Sequence, residues 1–349
     1  MQLLTTYDVN LFGIKMTFDS VAFTLPIGEG WDIYWYGICI ALGFLLAIIY
    51  CFIRAKKYDV DVDALTDVAL VTTPLAILCA RVYYVIFYPG KMEIKSVWDL
   101  LGVSSGSGVA GLAIYGGVIG AAVFGAIMCK IRKVNILDAF DLAASGFFIG
   151  QAIGRWGNFF NQEAFGSLTN FGMMSNGVAS FIADHKISFG LGEVSKSEML
   201  IHLEQNGLFV HPTFLYESVW CILGFVLLHF LGKNRKFKGQ LALTYGAWYG
   251  LGRMIIEGLR TDSLYLGPLK VSQWLSGGLL IICSVLIIYN LYKLRQKKND
   301  LTYESVFNEV DSATVKGVAY YEGEEAEVVE QTESETVSEE QNEPEKEEE

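Results

Sequence analysis

Residues 33–53 contain no charge at all. A helix needs about 20 mostly apolar residues to cross a bilayer core, and in lipid the backbone must satisfy its own hydrogen bonds, so such a stretch is committed to a helix. Residues 109–129 and 271–292 are equally free of charge. Four further apolar stretches carry ionisable groups: about 65–88 with Asp67 and Arg81, 134–154 with Asp138 and Asp141, 212–231 with Glu217, and 239–256 with Arg253. The pattern predicts an all-α integral membrane protein with seven transmembrane helices.

Orientation follows from the basic residues, because cytoplasmic loops are enriched in Lys and Arg. Arg54/Lys56/Lys57, Lys130/Arg132/Lys133, Lys233/Arg235/Lys236/Lys238 and Lys293/Arg295/Lys297/Lys298 follow the first, third, fifth and seventh spans. Alternate loops are therefore positive, which places the N-terminus outside and the C-terminus in the cytoplasm. The expected organisation is an extracytoplasmic N-terminal segment (1–32) and a seven-helix membrane catalytic domain (33–298). Within that domain a small extracytoplasmic head, about 157–211, is rich in Gly, Asn and Ser.

Composition separates the last part of the chain from the rest. The whole carries a net charge of −12 with 18% charged residues. Residues 300–349 alone hold 18 acidic and 2 basic groups, which leaves the remainder slightly basic. A Glu-rich segment with no aromatic residue after Tyr321 cannot bury enough apolar surface to order itself, so 299–349 is expected to be a disordered acidic cytoplasmic tail. The six cysteines (Cys39, Cys51, Cys79, Cys129, Cys221, Cys283) lie in apolar stretches without C-x-x-C spacing. Neither a disulfide framework nor a zinc site is indicated, and no metal or cofactor is expected. The basic groups form short clusters rather than a stripe, which argues against nucleic acid as a partner. Asp8, Lys15 and Asp19 interrupt the first thirty residues, so no cleavable signal is expected and the first span is read as an uncleaved anchor.

Charged side chains in spans are expensive and mark function by default. Arg81, Arg155, Arg253 and Arg260 all fall in the outer half of the membrane or just beyond it, where the positive-inside rule disfavours them. One such arginine is commonly a snorkelling or ion-paired structural group, but four together call for an anion. Phospholipid phosphate is the abundant anion at that depth, and the planar guanidinium binds it with two parallel donors. Around the arginines lie Tyr36, Tyr115, Asn158, Asn161, Glu163, His211, Tyr216, Glu217, Tyr249, Glu257 and Gln273.

Residues 154–166 read Gly-Arg-Trp-Gly-Asn-Phe-Phe-Asn-Gln-Glu-Ala-Phe-Gly, which resembles the prolipoprotein diacylglyceryl transferase signature G-R-x-G-N-F-x-N-x-E-x-x-G at every specified position. The similarity extends to Trp35-Tyr36-Gly37, to residues 80–84 with Arg81, to His211 through Glu217, and to Tyr249 through Asp262 with Arg253, Glu257 and Arg260. It covers about 33–293 in order. The resemblance implies an enzyme of the bacterial cytoplasmic membrane. Such an enzyme moves the diacylglyceryl group of phosphatidylglycerol onto the lipobox cysteine of a prolipoprotein signal peptide, forming a thioether and releasing glycerol phosphate. It further implies that Arg155, Asn158, Asn161 and Glu163 are the signature's polar residues, and that Tyr36, Tyr249, Arg253 and Glu257 fill other functional positions. One position departs: many relatives have His before the Gly-Gly pair of the third span, where this chain has Tyr115.

The chemistry requires a thiol, with a free pKa near 8.5, to be deprotonated or held in a positive field, and a phosphate leaving group whose developing charge is stabilised. Arg155 and Arg253 are read as the phosphate ligands, with Arg81, Arg260, Tyr36, Asn161 and Glu257 lining the lipid site. Asn158, Asn161 and Tyr249 donate hydrogen bonds, Glu163 or Glu257 orients the guanidiniums, His211 is available as a base, and Tyr115 is read as a hydrogen-bond donor to lipid or phosphate. A transporter or lipid flippase with an outward anionic-lipid site is the competing reading. It should place its charges near the midplane and show internal repeats, and neither is visible in the sequence.

Overall fold

The computed structural model describes residues 6–26, 30–87, 113–184, 195, 198–260, 265–266 and 269–308. They belong to two compact units, Met1–Ile288 and Tyr289–Glu349. Of the second unit, residues 289–308 are described, all within one helix.

The chain opens in strands rather than in an unstructured segment. β1 (Thr6–Leu11) and β2 (Ile14–Asp19) form an antiparallel hairpin with Val9 opposite Met16. Tyr7 and Val9 are buried while Thr6 and Asp8 are exposed, the two-residue period of a strand with one covered face. Phe12 and Gly13 make the turn with positive φ angles of 52° and 90°, the geometry that matches the strands' right-handed twist. β3 (Val21–Leu25) and β4 (Trp31–Tyr34) form a second ribbon leading into the first helix.

The helices follow: α1 (Trp35–Ala55), α2 (Val62–Phe87), α3 (Ile114–Ile131) and α4 (Ile136–Asn161). Then come β5 (Leu168–Thr169), β6 (Met173–Ser175), α5 (Asn176–Asp184), α6 (Met199–Gln205) and β7 (Phe209–Val210). The chain returns to long helices with α7 (Thr213–Leu231) and α8 (Gln240–Glu257). The short β8 (Tyr265–Leu266) and β9 (Leu269–Lys270) precede α9 (Val271–Asn308). α4 is the central element, packing against α1 on one side and against α7 and α8 on the other, and α2 pairs with α3. Phe148, Leu142, Cys221, Leu228 and Leu241 fill the core where α4, α7 and α8 meet.

The head is built from two distant parts of the chain. One sheet runs β2-β1-β6-β7-β5, so the N-terminal hairpin pairs with the segment after α4, Leu11 lying opposite Met173. Beneath it Tyr7, Val9, Met173, Met174, Val178, Ile182, Met199, Leu203 and Val210 form one apolar core, which Phe159 of α4 and Phe214 of α7 join to the helices. The all-α expectation is thereby corrected: the chain is mostly helical, with strands in its head. A strand of two or three residues has too few positions to show a period, so its pairing depends on the partner.

Every expected span contains a helix. Among the described residues five are long and apolar enough to cross a membrane, namely Trp35–Tyr58, Val62–Phe87, Ile136–Asn161, Thr213–Leu231 and Val271–Lys298. The expected third span holds the shorter apolar helix Tyr115–Ile131, and the expected sixth is α8, with Arg253 and Glu257 inside it. The last helix continues to Asn308, so the segment expected to be disordered from 299 begins as helix; charged and straight-chain residues such as Gln, Lys and Leu propagate a helix well. Residues 309–349, the remainder of that tail, and 88–112, most of the loop expected after the second span, lie outside the described residues.

Candidate active site

Asn135 caps α4, its side-chain oxygen accepting from the Leu137 and Asp138 amides at 3.0 and 3.3 Å. At the other end Gln162 turns left-handed with φ 52°, and the Glu163 amide donates to Asn158 O at 3.0 Å. That turn ends the helix and throws residues 163–167 across the starts and ends of its neighbours. The Gly166 amide donates to His211 O at 2.9 Å, the Ser167 amide to Leu259 O at 2.8 Å, and Gly166 bridges to Arg260. A Cβ on Gly166 would stand 2.8 Å from both the His211 Cβ and Leu259 O, so only glycine allows the signature to reach the ends of α7 and α8 together.

Glu217 on the first turns of α7 is the centre of the cluster thus assembled. It is 6% exposed. Its Oε2 pairs with Arg155 Nη2 of α4, while its Oε1 accepts from Arg253 Nη1 at 2.9 Å and lies 3.4 Å from Arg260 Nη1. Arg253 Nη2 meets Glu257 Oε2 at 2.6 Å one turn along α8. Three helices and the segment that follows α8 are thus tied through two buried carboxylates. Lys270 caps the end of α8, donating to Glu257 O at 2.9 Å and Arg260 O at 3.0 Å.

The relative rotation of α7 and α8, on which the Glu217–Arg253 pair depends, is held by two tryptophans. The Trp220 and Trp248 rings stack at 4.5 Å, and each indole N–H donates to the other's backbone carbonyl at 3.0 Å. The pair thus forms a reciprocal lock between the two helices. Next to it Gln151 Nε2 donates to Tyr245 Oη at 2.8 Å, and Tyr245 stacks on Tyr249 with centroids 5.9 Å apart. Tyr249 in turn lies within electrostatic reach of Arg253, Arg155 and Glu217.

A second group flanks the first on the signature's outer side. Asn158 Nδ2 donates to Glu163 Oε1 at 3.0 Å. Tyr36 at the start of α1 lies within electrostatic reach of both Glu163 and Arg155, and its ring fills the space over Gly157, where a Cβ would come within 2.6 Å of it. Tyr7 approaches from β1; burial first, and then the Glu163 carboxylate, raise its phenol above its ordinary value. Asn161 is half-buried on the last turn of α4. His211 is joined to the signature through its backbone, and its Nδ1 lies 3.3 Å from Tyr216 Oη.

The structure therefore brings together Arg155, Arg253, Arg260, Glu257 and Tyr249, with Tyr36, Asn158, Glu163, Asn161 and His211 beside them. Two expected residues sit on the α2–α3 pair. Arg81 is 2% exposed on α2, its guanidinium 5.5 Å from the Tyr84 ring. Tyr115 is 55% exposed at the start of α3, with Tyr83 as its ring neighbour at 6.4 Å. Glu217, noted in the sequence only as one polar group among several, is the residue whose role was missed; its position as a lone carboxylate inside an apolar span was the available signal. Among the described ion pairs of this cluster three guanidiniums meet two carboxylates, an arrangement suited to an anion.

Comparison with known proteins gives a consistent result. The family described as Prolipoprotein diacylglyceryl transferase matches residues 21–289. The chain is similar to the phosphatidylglycerol--prolipoprotein diacylglyceryl transferase of Streptococcus agalactiae serotype Ia, with 42% identity over 280 residues, 78% of this chain and 95% of that protein. The proteins of the same name from Clostridium novyi (41% over 262 residues, 74% and 92%) and Clostridioides difficile (38% over 290 residues, 82% and 100%) are also similar to it.

Proposed function

The chain belongs to the prolipoprotein diacylglyceryl transferase family, and on that premise we propose the reaction its site performs. It transfers the diacylglyceryl group of phosphatidylglycerol to the lipobox cysteine of a prolipoprotein, the first step of lipoprotein maturation. The observation that carries this reading is the Glu217 hub with Arg155, Arg253 and Arg260 around it. Guanidiniums fixed in place by buried carboxylates present planar donors suited to the oxygens of a phosphodiester.

In the step itself the cysteine sulfur attacks the glycerol carbon that carries the phosphate oxygen. The S–C bond forms as the C–O bond breaks, the electron pair leaves on glycerol phosphate, and the thiol proton passes to a base or to that phosphate. Charge on the leaving phosphate grows toward two negative units, so fixed guanidiniums bind the transition state better than the ground state. Arg155 and Arg253 hold the phosphate. Arg260, Glu257, Tyr36 and Asn161 shape the lipid headgroup site, and Asn158 and Tyr249 donate hydrogen bonds. Glu163 fixes Asn158, and His211 stands at the rim, where it can take the thiol proton. Arg81 and Tyr115 belong to the α2–α3 pair, where the exposed Tyr115 offers its hydroxyl to lipid and the buried Arg81 adds positive charge beneath it.

The chain is a multi-pass membrane protein. The positive loops support seven spans, with the head and the Glu217 cluster on the extracytoplasmic face of a bacterial cytoplasmic membrane and the acidic tail inside. Purified protein in detergent, given phosphatidylglycerol and a lipobox peptide, should release glycerol phosphate in proportion to thioether formed. Release that does not depend on the peptide thiol, or none from folded protein, would overturn the assignment.

A further inference from the structure

At the end of the helix bundle away from Glu217, the basic residues divide into two sets. Arg132 pairs with Asp67 at 2.7 Å, Arg235 with Asp138 and Asp141 at 2.7 and 2.9 Å, and Lys238 with Asp138 at 2.7 Å. Arg54, Lys57 and Lys233 have no carboxylate within ion-pair distance among the described residues. These three meet at one junction, where the end of α1 approaches the end of α7. Lys57 Nζ donates to Lys233 O at 3.1 Å, and Arg54 and Lys233 both act electrostatically on the Lys57 ammonium.

Arg54 is the informative member. Its Nε and Nη2 are shut off from solvent and meet no acceptor among the described residues, while its guanidinium also contacts the Tyr58 hydroxyl. A guanidinium stays charged at any physiological pH, so with no carboxylate in reach the Arg54 charge adds to those of Lys57 and Lys233 in favouring an anion at this junction. The C-terminal end of α7 attracts cations in general, but its carbonyls leave these two nitrogens unmet. Lys57 and Lys233 are exposed on either side.

Large apolar side chains are exposed beside the three cations. Ile53 is 73% exposed and Phe230 59%. A cleft of about 430 Å³ between α1, α4 and α7 runs up to Tyr50 and Ile53, with Ile49, Ile222 and Phe225 in its walls. It is closed at that end by Tyr50, whose ring meets Phe225 edge-on at 5.0 Å and whose hydroxyl lies 3.2 Å from His229 Nδ1. A soluble phosphate would gain nothing from this setting; a phospholipid places its phosphate and its chains on adjacent surfaces of this kind.

We propose that Arg54, Lys57 and Lys233 bind the phosphate of an anionic phospholipid in the leaflet opposite the active site, with its acyl chains against the exposed faces of α1 and α7. Such a lipid clamps the far ends of the two helices that carry Tyr36 and Glu217. The site is separate from the Glu217 cluster, and its occupancy does not depend on transfer chemistry.

The test counts lipids bound to full-length protein in detergent by native mass spectrometry. The probes are dioleoyl-phosphatidylglycerol, dioleoyl-phosphatidylcholine and inorganic phosphate. Wild type should retain one more phosphatidylglycerol than Lys57→Gln/Lys233→Gln, with the variant's affinity for that copy down by about tenfold or more, the scale of losing two charge-assisted contacts. Arg54→Gln should lose the same copy; if it fails to fold, the surface lysine pair carries the test alone. Phosphatidylcholine should not replace the missing copy, and excess inorganic phosphate should not displace it. Equal retention by wild type and variants, equal retention of phosphatidylcholine, or displacement by phosphate would overturn the proposal.

Discussion

Glu217 Oε1 accepts a 2.9 Å hydrogen bond from Arg253 Nη1 across the α7–α8 interface, while its other oxygen holds Arg155 of α4. One carboxylate thus sets the spacing of two guanidiniums from different helices. Glu217→Gln removes the charge but keeps the shape. Breaking a buried pair costs roughly 3–5 kcal/mol, and the low end applies here because Arg155 remains a quarter exposed. The expected result is a lower melting temperature in detergent and transfer reduced by about 100-fold or more. Near-normal turnover in Glu217→Gln would show that the hub does not position the arginines.

Arg155→Lys and Arg253→Lys keep the charge and lose the planar pair of donors. Each is expected to abolish most transfer in folded protein, with kcat falling more than KM rises if the contact strengthens as charge develops. The double variant should be little worse than either single one, as for groups acting together. Additive losses measured under the same conditions would mean that the two arginines act on different steps.

These residues differ in how visible they were beforehand. Arg155, Asn158, Asn161 and Glu163 stand in a dense local motif, and Arg253, Glu257 and Arg260 are charges in or beside an apolar stretch, so both sets declare themselves by type and place. The Glu217 hub could not be read, because which guanidinium faces a carboxylate depends on how α4, α7 and α8 rotate about their axes. The hairpin was legible but overlooked: Tyr7, Val9 and Leu11 alternate with Thr6, Asp8 and Asn10, and Phe12-Gly13 supplies the turn. The strands at 168–169 and 209–210 were not, since two residues carry no period and pair over a separation of some forty positions.

Tyr115 tests the proton inventory. It stands where many relatives have His, yet it is more than half exposed, with Tyr83 rather than Glu217 or Arg155 beside it. Its expected role is a hydrogen bond to lipid, so Tyr115→Phe should cost about one to two orders of magnitude in transfer, and Tyr115→His should retain much of the activity. Loss to background in Tyr115→Phe, with His211→Ala still active, would make Tyr115 the base.

At the opposite end of α4, Asp141 is fully buried and accepts from Arg235 Nη1 and from the Gly239 and Ala242 amides, each at 2.9 Å. It caps the start of α8 and anchors the α7–α8 connection. Asp141→Asn keeps part of the hydrogen bonding and leaves Arg235 with Asp138 alone, so a loss of about 2–4 kcal/mol in stability is expected. The KM for phosphatidylglycerol should not change in the protein that remains folded, since the Glu217 cluster lies at the far end of the same helices. A raised KM without a change in melting temperature would contradict this division of labour.

The Trp220–Trp248 lock separates positioning from contact. Neither ring touches the guanidiniums directly, but Trp220 lies one helical turn from Glu217 and Trp248 just over one turn from Arg253, so the two reciprocal N–H bonds fix how those side chains face each other. Trp248→Phe keeps an aromatic ring and deletes one donor, leaving the Trp220 carbonyl without that partner at a cost of about 1–3 kcal/mol. A small rotation of α8 should follow and loosen Arg253 from Glu217, lowering kcat by about tenfold with little change in KM, because a misplaced guanidinium fails chiefly where charge is greatest. Trp220→Phe should give the same split, and the double variant should be no worse than the sum of the two. A purely structural role predicts a different pattern: lower melting temperature with unchanged kcat per folded molecule, and that outcome would remove the tryptophans from any account of how the site is aligned.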